Sequence, residues 1–271
     1  MTLKARNIFI LVLSSVFLAL SAAALAYYVY KLNPILKGRA DLGYGLSLNE
    51  FSLFSSSAWA LVFESAIMAV YIPAAAFTLY ARFEKTPSNE AAYFTLFLLG
   101  CVPELSRLSV PIETIQGAFP GFLELAGRAL FWGRTLLFTS LFASSLLPPS
   151  NKTINVDKRI LMLLFFSLAI ASAAPINTIR IPNSFCVQAG WPLAANAICA
   201  LAGILTIASC AENARSSENP LFIKLGIDII CVEAGFVALN STAILAPAVL
   251  GAVLLCAGTT RYLSHLHRLY S

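Results

Sequence analysis

Eight charged side chains lie within hydrophobic stretches of this 271-residue sequence, and they are the residues with chemistry to offer. Glu104, Arg107, Arg128 and Arg134 fall in two consecutive apolar segments. Glu64 lies in the segment before them, and Lys224, Asp228 and Glu233 share a later one. A lone charge at mid-bilayer costs at least about 2.5 to 3.5 kcal/mol on insertion scales, so these groups must pair or line water. Arg107 follows Glu104 at i, i+3 and Asp228 follows Lys224 at i, i+4, spacings that put both members on one helix face. Arg128 precedes Arg134 by six residues, about 240° around a helix, so it occupies another face and is expected to snorkel outward.

A guanidinium holds a carboxylate or phosphate through two parallel hydrogen bonds. Depth counting places Glu64, Glu104, Arg107 and Arg134 together just outside the midplane, with Glu233 at the same depth as a fifth member. This mixed cluster is expected to suit a small anionic solute. Lys224 and Asp228 read as a structural ion pair. A second reading stays open for the whole cluster, because buried ion pairs often do no more than fix helix packing.

Other chemistries lack their parts. The two histidines, His265 and His267, both stand after the last apolar run, so a metal-dependent or Ser–His hydrolase is not expected, nor is a metal or other cofactor. Asp228 is the one aspartate inside an apolar segment, which leaves no aspartate dyad. A catalytic pair of Glu64 and Glu104 finds no supporting group. No glycine-rich loop ends in Lys-Ser or Lys-Thr. An enzyme is therefore not the expected reading.

The elements that must position these charges follow from composition. The chain is 59% hydrophobic and 11% charged, against roughly 25% charged in a soluble domain. Crossing the hydrocarbon takes about 20 apolar residues of helix. Runs such as 160–166 are apolar on every side, which a transmembrane barrel strand is not. The sequence predicts an all-α polytopic membrane helix bundle, a single transmembrane domain over residues 1–271. Its spans are expected near 7–30, 57–80, 91–110, 127–147, 160–179, 191–211, 221–239 and 243–259. The first combines Lys4 and Arg6 with an apolar run over 8–25 and small residues after it, a pattern resembling a signal peptide. Retention is expected, and cleavage would leave seven spans.

Residues 31–56 form the longest connection, with an amphipathic tail over 51–54 expected at the membrane surface. Thr86, Pro87, Ser88 and Glu90 mark the start of span three. Pro103, Pro111 and Pro175 are expected to free backbone carbonyls, which is tolerated only beside protein or a wet cavity. The six cysteines, Cys186 in a loop and the rest in or at the ends of spans, lack paired spacing and read as packing residues.

Orientation follows from the basic residues. Lys4, Arg6, Arg82, Lys85, Lys152, Lys158, Arg159, Arg215, Arg261 and Arg268 collect on one side, and Lys31, Lys37, Arg39 and Arg180 on the other. This bias predicts an integral, multi-pass protein of the cytoplasmic (inner) membrane with both termini cytoplasmic. It also accounts for the net charge of +5, so nucleic acid is not implied as a partner. The two halves show no internal repeat, which weakens an inverted-repeat transporter. The expected partners are the lipid bilayer and a small anionic solute, and the expected function is a small-solute transporter or solute-binding membrane protein. The alternative is a sensor or accessory subunit that binds another membrane protein and whose charges only fix packing.

Overall fold

The computed structural model describes residues 3–38, 53, 57–86, 88–115, 120–146, 156–178, 187–216, 220–241 and 243–270. The fold is all-α. Its helices are α1 (Leu3–Gly38), α2 (Ala58–Phe83), α3 (Glu90–Cys101), α4 (Ser109–Ile115), α5 (Pro120–Ser145), α6 (Val156–Ala173), α7 (Pro192–Ser216), α8 (Leu221–Asn240) and α9 (Leu245–Tyr270), with a 3-10 segment, Val102–Ser106, between α3 and α4. Five stretches are long and apolar enough to cross a membrane: Leu3–Lys31, Trp59–Phe83, Glu90–Ile112, Pro192–Ser216 and Leu245–Tyr270. Helices α5, α6 and α8 are long as well, but each carries three or more charged residues, Glu233 of α8 among them.

Contacts between helix ends show that successive long helices alternate in direction. At one end the guanidinium of Arg6, from the start of α1, donates to the carbonyls of Phe83 (2.6 Å) and Ser88 (3.0 Å). There too Tyr270, at the end of α9, donates to Glu90 (2.7 Å), and Asn213 of α7 donates to the Ser145 carbonyl (2.6 Å). At the opposite end the Tyr28 hydroxyl of α1 donates to the Leu105 carbonyl, and Ser57 N–H bonds the Ala243 carbonyl at 2.9 Å. Arg82, Arg159, Arg215, Arg261 and Arg268 lie on the Arg6 side. Lys37, Arg39, Lys152, Arg180, Cys186 and the 51–54 tail, Leu53 excepted, lie outside the residues whose side chains are described.

Helix α1 shows how the bundle is stitched. Its buried positions are Arg6, Ile10, Ser14, Phe17, Ser21 and Tyr28, a stripe at spacings of three, four and seven that packs mainly on α2. It also runs on to Gly38, past the expected end at residue 30.

Two further departures have local causes. Span three is broken: the helix tightens to 3-10 geometry at Val102–Ser106, where Pro103 removes a donor. The carbonyls released there are taken up by side chains, Pro103 by Ser106 (2.7 Å), Leu105 by Tyr28 and Ser106 by Ser109 (2.5 Å). The expected span 160–179 ends at Ala173 instead, because Pro175 stops it. The chain then forms β1 (Ile176–Asn177), which pairs antiparallel with β2 (Gln188–Ala189). The five described cysteines form no disulfide.

Candidate solute-binding site

The charges are brought together by a glycine contact. A Cβ on Gly100 of α3 would stand 2.6 Å from the Gly133 carbonyl oxygen of α5. Only two residues without side chains permit this approach, and it delivers Glu104, one turn beyond Gly100, to Arg134, the neighbour of Gly133. Arg134 holds Glu104 through both carboxylate oxygens, Nε to Oε1 at 2.7 Å and Nη2 to Oε2 at 3.2 Å. Arg107 lies 3.7 Å from the same carboxylate and 2.9 Å from Glu64 Oε2 of α2. The result is a continuous row, Glu64–Arg107–Glu104–Arg134. Its first three members are 1% or 2% exposed, and Arg134 is 26% exposed.

Asn240, just past the expected span 221–239, closes the row. Its Oδ1 accepts from Arg107 Nη1 at 3.0 Å and its carbonyl oxygen accepts from Arg134 Nη2 at 3.3 Å. As the last residue of α8 it offers a carbonyl that no later helical N–H claims. A buried Asn at a helix end, level with the arginines in depth, was the available signal.

Arg128 pairs with Glu124 on its own helix at 2.9 Å and donates to the Ser172 carbonyl at 2.7 Å, away from the row. The expected Lys224–Asp228 pair is corrected. Asp228 is buried against α9, where His265 Nδ1 stands 2.6 Å from Oδ2 and Arg261 Nε 3.3 Å from Oδ1. Lys224, one turn nearer the helix start, is exposed. The i, i+4 spacing was present, but α9 supplied the closer partners. His267 packs its ring edge-on to Phe83 at 5.9 Å, and no group of three metal-ligating side chains occurs among the described residues.

Glu233 does not join the row. It lines a cavity of about 750 Å³ between α5, α7 and α8, to whose wall Val187 and Ala189 of the ribbon segment also contribute. The volume lies within the roughly 300–1,000 Å³ typical of small-molecule sites. Arg134 and Asn240 reach the cavity from one end of α8, and Glu233 stands two turns away, about 10 Å along the helix. Most of the remaining wall is apolar, with Phe138, Ile204, Ile230 and Val237 prominent. Gly203 of α7 faces the carboxylate, where a Cβ would sit 3.6 Å from Glu233 Oε2. The Oε1 atom of Glu233 is buried and has no hydrogen-bond partner among the described residues. Such an atom is costly in a closed core but suited to a ligand.

No family model, curated protein or solved structure matches the chain.

Proposed function

We propose that the chain is a multi-pass membrane protein of eight spans that binds a small solute in the α5–α7–α8 cavity, as a transporter or a solute-binding protein. The observation that carries this reading is the cavity itself, an apolar chamber of about 750 Å³ with Arg134, Asn240 and Glu233 placed along one side. Five apolar stretches and the alternation of helix direction support the eight crossings, with α5, α6 and α8 carried by their neighbours. The basic residues gathered at the Arg6 end support cytoplasmic termini in an inner membrane.

The test is native mass spectrometry of the protein extracted in mild detergent, wild type beside Gly203→Leu, whose side chain would intrude into the cavity beside Glu233. A small-molecule adduct on the wild type that is lost at equal thermal stability in the variant is expected. A bare wild type, or an adduct that survives the substitution, would count against the reading.

A second reading is favoured by one observation: each of the four charges of the row has an opposite charge within 4 Å. On that reading the row is packing glue between α2, the 3-10 segment and α5, and the chain is an accessory subunit for another membrane protein. Arg107→Gln separates the two. Loss of folding assigns the row to structure, whereas loss of the adduct from a folded variant assigns it to the site.

A further inference from the structure

Building on the cavity reading above, we infer that the occupant of the α5–α7–α8 chamber is a hydrophobic organic cation, with its charge at Glu233 and its apolar body along Phe138, Ile204, Ile230 and Val237. The first argument is charge balance. Glu64 and Glu104 offset Arg107 and Arg134 in one connected row. The arginine that reaches the cavity already gives Nε and Nη2 to Glu104. An anion arriving there would compete with a carboxylate that is already seated on two hydrogen bonds. Glu233 is the acid of this cavity without a basic partner among the described residues, 6% exposed, with Thr206 as its polar neighbour and Oε1 unsatisfied.

The second argument is the wall. Phe138 and the Glu233 carboxylate both border Gly203, where a Cβ would stand 3.6 Å from Glu233 Oε2 and 4.0 Å from Phe138 Cδ1. Phe138 also packs edge to face with Phe236 at 6.1 Å. A carboxylate in a cavity that aromatic rings also line attracts a cation through its charge, and the ring quadrupoles add to it. The third argument is access. Ile204, Ile230 and Val237 line the cavity and are among the exposed large hydrophobics. The rim between α7 and α8 is thus apolar and admits an amphiphile from the hydrocarbon side.

Radiolabelled tetraphenylphosphonium binding to the purified full-length protein in detergent tests the inference, with tetraphenylborate as a probe of the same shape and opposite charge. Displaceable binding of the cation is expected. It should weaken at least tenfold in Glu233→Gln, disappear in Gly203→Leu and exceed binding of the borate. Cation binding unchanged in a folded Glu233→Gln overturns the inference, as does a wild type that retains neither probe. A preference for the borate that Gly203→Leu abolishes overturns the cation while leaving the cavity reading intact. If Glu233→Gln does not fold, the comparison of the two probes on the wild type decides alone.

Discussion

Gly100 and Gly133 meet backbone to backbone: a Cβ on Gly133 would stand 2.5 Å from the Gly100 carbonyl oxygen and 2.9 Å from Pro103 Cγ. The ion pairs of the row depend on this contact, because α3 and α5 cannot approach so closely with any side chain between them. Gly133→Ala should therefore force the helices apart and destabilise the protein by about 1–3 kcal/mol, the usual range for overpacking. Unfolding in mixed micelles followed by far-ultraviolet circular dichroism checks this. An alanine tolerated without loss would mean that the helices separate easily and that the glycines do not set the row.

Glu104 is the acid that both arginines share. Removing one member of a buried pair leaves the other uncompensated, at about 3–5 kcal/mol. Glu104→Gln should approach that range, and Arg134→Gln should cost less, since Arg134 is one-quarter exposed. The double variant should cost less than the sum of the two, with a coupling of about 0.5–3 kcal/mol. A double-mutant cycle on unfolding free energies measures it, and additivity would mean that the bidentate contact is not formed.

Asn240 extends the same logic to a neutral residue. Its amide oxygen accepts from Arg107 and its amide nitrogen donates to the Phe236 carbonyl at 3.1 Å. Asn240→Ala removes both and should cost about 1.5–3 kcal/mol, the range for hydrogen bonds to charged groups. Its main-chain bond to Arg134 would persist. Thermal unfolding of the variant in detergent, read against wild type, should show the loss, and an unchanged midpoint would remove Asn240 from the row.

The helices were largely legible in the sequence because their ends are punctuated. The expected spans 57–80 and 221–239 match α2 (Ala58–Phe83) and α8 (Leu221–Asn240) closely, since an N-capping Ser57 and Pro220 stand at their starts. The rise from one charge to the next within a single helix was legible too, because it is fixed at about 1.5 Å per residue. The rotation of one helix against another was not. Glu233 stands about 10 Å along α8 from Asn240 and faces α7 rather than α2, and no spacing within α8 encodes that. The cavity has the same origin, since it exists only because α5, α7 and α8 leave a gap that Gly203 widens. The β ribbon went unread because two residues per strand give no alternation to detect.

Asp228 shows what a spacing within one helix leaves out. Lys224 precedes it by one turn, but Asp228 faces α9, with Arg261 and His265 one turn apart on the facing surface. Helices α8 and α9 pack closely there: a Cβ on Gly258, one turn before Tyr262, would stand 3.0 Å from Val232 N. Such proximity favours the cross-helix partners over a lysine that would have to fold back along its own helix. Two substitutions should therefore differ sharply. Lys224→Gln should change stability by less than about 0.5 kcal/mol, as for a surface residue away from structural features. Asp228→Asn sets a buried neutral amide opposite Arg261 and His265 and should cost about 1–3 kcal/mol. Unfolding titrations of the two variants side by side give the comparison. Equal losses would restore the lysine as the partner, whereas loss in Asp228→Asn alone places the pairing between helices.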